Sequence, residues 1–221
     1  MVMTNIVDTH TPTPDSPALP DARPNFAVAV ATAREVVSNV RPDQLHLSTP
    51  CADFDVAVLT GHVLAVLQRV AIIGRGGDPN LAPRVVTDVD AADVVAEFDR
   101  LAADAEQAWS DNAVLGSIVT VPWTKLPGAV ALMIYLSEVT VHTWDLATAT
   151  GQQVAWNDGA VAMSLAAMRQ GLPAEGRMQD YDESIAAGAG GDLIAPFSAP
   201  RAVAPDAPLI SQLVAWTGRQ P

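Results

Sequence analysis

The chain has few basic residues and almost no cysteine. Its 12 lysines and arginines stand against 25 acidic residues, which gives the 221-residue protein a formal net charge of −13 at pH 7. Such a chain repels a phosphate backbone, so we expect no nucleic-acid partner. The single cysteine, Cys51, cannot form an internal disulfide, and the opening MVMTNIVDTHTP has neither the basic residues nor the apolar run of a secretory signal. We therefore expect a cytoplasmic protein.

The chain also lacks a hydrophobic run that is free of polar residues over the length of a membrane span, about 20 residues. The most apolar stretch is VAVLTGHVLAVLQRVAII at residues 56–73, and it contains Gly61, His62, Gln68 and Arg69. These residues favour a helix that is buried inside the protein over a helix that crosses a bilayer. We expect no membrane partner.

Helical periodicity is what the sequence has in abundance. Hydrophobic residues make up 49% of the chain and charged residues only 17%, which is typical of a globular protein with a large core. Apolar residues recur at spacings of three and four, and prolines, glycines and capping residues separate the periodic segments. The pattern predicts four long helices and two shorter ones, at about residues 24–40, 56–73, 90–110, 127–150 and 158–170 and near the C-terminus.

Four long helical segments without internal repeats or alternating strands indicate an all-α helix bundle. The connections near residues 74–88 and 111–126 are long for neighbouring helices, so at least one of them is expected to cross over, and SIVTVPW in the second can be briefly extended. Residues 1–23 are rich in Thr, Pro and Asp and predict a flexible N-terminal arm. Residues 24–221 then form a single helical domain with a C-terminal tail.

An acid and two imidazoles lie in apolar surroundings. Glu138 and His142 are four residues apart on the predicted fourth helix, so their side chains project from nearly the same side. A buried carboxylate is costly unless a positive charge or several donors compensate it. In a bundle, His62 of the second helix can lie opposite both. Two imidazoles and one carboxylate suit a divalent ion, with zinc the first candidate, and leave a coordination position open.

The spacing alone leaves other interpretations open. A histidine on an apolar helix commonly bonds to a backbone carbonyl, and a Glu/His pair four residues apart often faces solvent. Asp145 shares the face of His142 and either orients it by accepting its second ring proton or is an ordinary polar residue near a helix end. Tyr135, one turn before Glu138, either contacts substrate as a hydroxyl partner or proton donor, or packs its ring in the core.

Two segments carry a resemblance to a known family. LHLSTPCADFDVAVLTGHVL at residues 45–64 and YLSEVTVHTWDLATATGQ at 135–152 resemble the metal-binding domain of mycothiol-dependent maleylpyruvate isomerase, within the DinB-like helical proteins. The ending APDAPLISQLVAWTGRQP is similar to that of short metal-binding members of the group. The resemblance implies a DinB-like four-helix bundle with a short C-terminal extension. It also implies a divalent ion held by His62, Glu138 and His142.

The resemblance further implies a function in thiol chemistry. The ion would bind a small-molecule thiol, mycothiol, as its thiolate, and the thiolate would react with an electrophile in a thiol transfer or a thiol-assisted isomerisation. The isomerase has an additional C-terminal domain, whereas about 50 residues follow the fifth helical segment here, so maleylpyruvate is not the expected substrate. A metal-dependent hydrolase, a non-catalytic metal-dependent binding module and a metal-free helical domain are the alternatives. The sequence leaves a homodimer open.

Overall fold

The computed structural model describes residues 19–52, 54–177 and 197–221. Its described part is mostly helical, as the periodicity predicts. The helices are α1 (Arg23–Ser38), α2 (Val56–Gly74), α3 (Val94–Ala108), α4 (Asn112–Gly116), α5 (Gly128–Thr150), α6 (Asp158–Gly171) and α7 (Leu209–Trp216). Two short strands, β1 (Ile118–Val121) and β2 (Thr124–Pro127), pair antiparallel. Residues 1–18 of the predicted N-terminal arm lie outside the described residues, and Ala22 at its end is already buried.

The four long helices α1, α2, α3 and α5 form a bundle. α2 packs against α3 and α5, and α1 packs against the same two helices from the other side. The predicted all-α bundle is confirmed. The C-terminal extension adds α6, which packs on α5 and α1, and α7, which packs on α6 and α5.

Two connections cross the bundle diagonally. α1 and α2 lie opposite each other, and so do α3 and α5, because each packs chiefly against the other pair. The segment between α3 and α5 is therefore a crossover, and it contains the β1–β2 hairpin at the position where the sequence predicts a brief extension. The other long connection, between α2 and α3, joins neighbours.

The ends of α2 and α5, which carry the candidate site residues, follow from local chemistry. α2 begins after Asp55, whose side chain accepts a hydrogen bond from the backbone N–H of Val58 and so satisfies a free donor of the first turn. α5 ends at Gly151, which has φ 70°, a left-handed conformation that glycine adopts without steric cost. The sequence predicts both boundaries.

Among the described helices, α2 is the one that is long and apolar enough to cross a membrane by length and composition. In the structure, 72% of its apolar window is buried, largely against α3 and α5. This position agrees with the prediction of a core helix, because a helix that is apolar all round needs protein on all sides.

Gly61 lets the loop after α2 lie directly on the helix, one residue before His62. The backbone N–H of Val86 donates to the carbonyl oxygen of Gly61 at 3.0 Å. A methyl group at position 61 would overlap the carbonyl oxygen of Val86 and lie 2.8 Å from Cγ1 of Val85. The loop that contains Val85 and Val86 can therefore lie this close to α2 only because residue 61 is glycine.

We expect Gly61→Ala to lower the free energy of unfolding by about 1–3 kcal/mol, because the loop must shift to make room for the methyl group. Urea denaturation measures the change. Gly116→Ala is the matched control, since a methyl group there meets nothing within 4 Å. Equal unfolding free energies for the two variants would contradict the close approach.

Candidate metal centre

The structure brings together the three side chains that the sequence singles out. His62 lies on α2, Glu138 and His142 lie on α5, and one potential ligand atom of each lies within 4.8 Å of the other two. The Nε2 atom of His62 is 3.4 Å from Oε1 of Glu138, and the two imidazole rings meet edge to face with centroids 4.9 Å apart. Ligand atoms that each lie about 2 Å from a shared zinc ion in a tetrahedral site are about 3.3 Å apart, which the His62–Glu138 distance matches. We call these three residues the candidate centre.

Hydrogen bonds fix which ring nitrogens face the candidate centre. Nδ1 of His62 is 2.8 Å from the backbone carbonyl oxygen of Arg84, and Nδ1 of His142 is 3.1 Å from Oδ2 of Asp145. A carbonyl or carboxylate oxygen only accepts, so each Nδ1 carries the proton and donates it. In the neutral rings, Nε2 is then the nitrogen with a free lone pair. Metal-binding histidines have this arrangement, because the bond at the outer nitrogen fixes the ring.

The hydrogen bond from His62 to the backbone carbonyl of Arg84 is what we expect of an ordinary histidine on an apolar helix. The second nitrogen of the ring nevertheless points to the carboxylate of Glu138. Two imidazole lone pairs and a carboxylate are all acceptors, and at this distance they need a shared cation or a proton between them. The donor set therefore fits a divalent ion, and two nitrogens with one oxygen suit zinc.

The charge states suit ligands. Burial acts to raise the pKa of Glu138, but the interactions with His62, His142 and Arg69 outweigh it and lower that pKa. Burial lowers the pKa of His142 below its usual value, against the opposing effect of Asp145. At neutral pH, Glu138 is therefore an anion and His142 is a neutral imidazole, and metal binding requires these states.

The candidate centre is enclosed but reaches solvent at one point. His62 is 4% exposed and His142 is 7% exposed, whereas the side chain of Glu138 is 22% exposed. The ring of Phe54 packs against that of His62 with centroids 5.3 Å apart, and the guanidinium of Arg84 lies 5.2 Å above the Phe54 ring. An aromatic and a cationic side chain thus border the His62 side of the centre.

Asp145 contacts His142 in the way that an orienting role requires. It is fully buried, and its Oδ2 accepts from Nδ1 of His142 at 3.1 Å. Of the two roles that the sequence leaves open for Asp145, orientation of His142 agrees with this geometry. Burial acts to raise its pKa, but the hydrogen bonds from His142 and Arg219 outweigh burial and lower it, so the side chain is anionic.

Arg219 contacts Asp145 next to the candidate centre, and the sequence interpretation missed it. Its Nε donates to Oδ1 of Asp145 at 3.0 Å and its Nη2 donates to Oδ2 at 2.8 Å. The two residues are 74 positions apart, and no periodic pattern joins them. The one available signal was the ending that contains TGRQP, which carries part of the family resemblance but does not indicate a partner for the arginine.

Tyr135 lies one turn before Glu138 and is only 1% exposed. Its ring packs in the main core cluster, as the structural interpretation predicts. Its hydroxyl, however, has no hydrogen-bond partner among the described residues. Burial, with the charge of Glu138, raises its pKa well above the usual value, so the phenol stays protonated at neutral pH. A role in contacting substrate stays a prediction.

A second group of potential ligands shares His142 with the candidate centre. One atom each of Cys51, His142 and Asp145 lies within 4.8 Å of the others. Both oxygens of Asp145, however, already accept hydrogen bonds from Arg219, and an ion here would have to displace them. The set of His62, Glu138 and His142 is therefore the better metal site.

The fold and this side-chain set define a helical-bundle protein with a candidate metal centre between two neighbouring helices. The family model for the mycothiol maleylpyruvate isomerase N-terminal domain matches residues 26–147, more than half of the chain, and the match includes the candidate centre. The protein belongs to this family, so the resemblance stated from the sequence motifs is confirmed.

Two similar proteins are uncharacterised proteins of Mycobacterium tuberculosis, one from strain CDC 1551 / Oshkosh and one from strain ATCC 25618 / H37Rv. Each is 30% identical to this chain over 134 residues, which cover 61% of this chain and 70% of the relative. No solved structure shows a significant match to the chain.

We expect Asp145→Ala to lower the free energy of unfolding by about 3–5 kcal/mol, because it leaves the Arg219 guanidinium buried without its partner. Asp99 provides a matched control. It forms the same two-bond pair with Arg34, at 2.6 and 2.8 Å, but those side chains are 46% and 47% exposed.

Asp99→Ala should therefore cost under about 1 kcal/mol. Urea denaturation of both variants and the unchanged protein measures the difference. If Asp145→Ala costs no more than Asp99→Ala, the buried pair does not stabilise the fold as described.

Proposed function

We propose that the protein binds zinc through His62, Glu138 and His142 and uses it in the chemistry of a small-molecule thiol, with mycothiol as the candidate co-substrate. The observation that carries this proposal is the convergence of two imidazoles, each with its Nδ1 proton given to an acceptor, on one anionic carboxylate. The family match supports the choice of mycothiol.

The three residues leave one coordination position of a tetrahedral zinc ion without a protein ligand. The two imidazoles and the carboxylate supply three ligand atoms, and zinc sites with three protein ligands keep a position for water or substrate. When bound there, a divalent ion strips the proton from a coordinated thiol and polarises substrate oxygens. Glu138, the most exposed of the three, marks the side from which small molecules reach the centre.

The proposed reaction joins a thiol to an electrophile. The thiol sulfur forms a bond to an electrophilic carbon, and its proton ends on the adduct or leaves with the displaced group. A reversible addition of this kind also permits a thiol-assisted isomerisation, because the sulfur can leave after rotation about the former double bond. The partners are thus a small-molecule thiol and an electrophile, and we keep a cytoplasmic location as part of the proposal.

The specific reaction of maleylpyruvate isomerase is not part of the proposal. The matched family is the N-terminal domain of that enzyme, and residues 148–221 of this chain lie beyond the match. Maleylpyruvate is therefore not the electrophile that we propose.

We expect protein purified without chelators to bind one equivalent of zinc, and we expect His142→Ala or Glu138→Ala to abolish stoichiometric binding. Elemental analysis and competition with a chromophoric chelator measure this. His46→Ala is the control, because His46 lies on an exposed loop.

Affinity should fall with pH below the usual histidine pKa of about 6.5, and the ion should be lost below about pH 5–6, because protonated imidazole cannot bind metal. Retention of the full equivalent at about pH 4 would contradict the histidine ligands.

We expect the zinc-loaded protein to accelerate consumption of mycothiol by a simple electrophile such as an activated aryl halide. The rate should fall to the uncatalysed level in His142→Ala and Glu138→Ala and stay unchanged in His46→Ala. Loss of free thiol, followed with a thiol-reactive dye, measures the rate. A protein that binds one equivalent of zinc but consumes no thiol with any electrophile tested would instead be the non-catalytic binding module. Release of product from an ester without thiol would indicate the hydrolase.

A further inference from the structure

The segment after α7 contains a buried cation that contacts Asp145, the hydrogen-bond partner of His142. Arg219 follows α7 and is only 8% exposed. Beside its two bonds to Asp145, its Nη1 donates to the backbone carbonyl of Thr217 at 3.1 Å, and its guanidinium lies 5.1 Å from the ring centroid of Phe197. Burial of a guanidinium costs free energy unless its N–H groups are hydrogen-bonded. The contacts of Arg219 meet this need and fix the position of its planar group.

The chain reaches Asp145 through a turn that only glycine permits at low cost. Gly218, two residues after the last residue of α7, has φ 90°, and a methyl group there would lie 2.6 Å from Cβ of Ser198. The turn is closed by hydrogen bonds from the Gly218 N–H to the carbonyl of Ala215 at 3.0 Å and from the Arg219 N–H to the carbonyl of Val214 at 2.9 Å. The end of α7 therefore directs Arg219 back onto α5.

We propose that Arg219 is a positioning residue of the candidate centre, which holds the Asp145 carboxylate in the plane from which it fixes the ring of His142. The inference rests on the proposed metal site. Oδ2 of Asp145 accepts from Nη2 of Arg219 and from Nδ1 of His142 at the same time. The planar guanidinium engages both carboxylate oxygens and so removes the freedom of that group to rotate away from the imidazole.

This arrangement makes the C-terminal segment a part of the metal site. α7 packs on α6 and α5, so its docking and the orientation of His142 depend on each other. A group that orients a metal-binding histidine in this way changes metal affinity roughly 10- to 100-fold when it is lost. A purely structural arginine would change the stability of the fold and leave the affinity of the folded protein unchanged.

The experiment compares Arg219→Gln, Arg219→Lys and the control Arg201→Gln in the full-length protein. Arg201 serves as the control because its Nε donates to the carbonyl oxygen of Gly218 at 3.3 Å in the same segment, without contacting Asp145. Zinc affinity is measured by chelator competition. The side-chain ¹⁵N shifts of His142 in the metal-free protein report its tautomer, and thermal unfolding reports the folded fraction.

For Arg219→Gln we expect zinc affinity to fall roughly 10- to 100-fold in the folded protein and the single Nδ1–H pattern of His142 to be lost. Arg219→Lys keeps the charge without the planar fork and should lose affinity by a smaller factor. Arg201→Gln should match the unchanged protein in both measurements. Unchanged zinc affinity and unchanged His142 shifts in Arg219→Gln would overturn the proposal.

Two further outcomes separate this inference from the proposed function. If the unchanged protein binds no zinc, the proposed function fails, and the ¹⁵N shifts of metal-free Arg219→Gln still decide whether Arg219 fixes the His142 ring. If Arg219→Gln does not fold, Arg219→Lys decides: reduced affinity with altered His142 shifts supports the proposal, and unchanged values for both overturn it.

Discussion

Two carboxylates on one apolar helix are the constraint on which the rest of the structure depends. Glu138 and Asp145 lie seven residues apart on α5, a helix of which most residues are buried. A buried anion without compensation costs several kcal/mol, and each of these two is compensated differently. Asp145 receives a guanidinium from the end of the chain, whereas Glu138 faces an imidazole of α2 and a second imidazole one turn along its own helix.

The different compensation leaves the two carboxylates with different numbers of hydrogen-bond partners. Both oxygens of Asp145 accept hydrogen bonds, from Arg219 and His142. Glu138 faces His62 at 3.4 Å, a distance longer than the usual range for a hydrogen bond to a charged group. Its oxygens are therefore less fully engaged than those of Asp145, and part of its side chain reaches solvent. The fold thereby separates a buried ion pair from a side-chain group that could hold a metal ion.

The bundle topology makes this separation work. Two crossovers, between α1 and α2 and between α3 and α5, place α2 next to α5. His62 of α2 therefore meets Glu138 and His142 of α5. The loop that lies on Gly61 supplies the Arg84 carbonyl that fixes His62. The extension of α6 and α7 covers the other side of α5 and brings in Arg219. His62 is thus hydrogen-bonded to the loop after α2. His142 is hydrogen-bonded to Asp145, which in turn is hydrogen-bonded to Arg219 after α7.

The sequence by itself determined the helices and the choice of side chains for the candidate centre. Periodicity and capping residues are local signals, so α2 and α5 and their ends at Asp55 and Gly151 could be read directly. Glu138 and His142 share a face through helix geometry alone, and His62 stood out because a polar side chain interrupts an apolar run. Only the tertiary structure decided what lies around them. The carbonyl on His62 and the arginine on Asp145 come from segments distant in the chain, and packing alone, without any local pattern, sets such contacts.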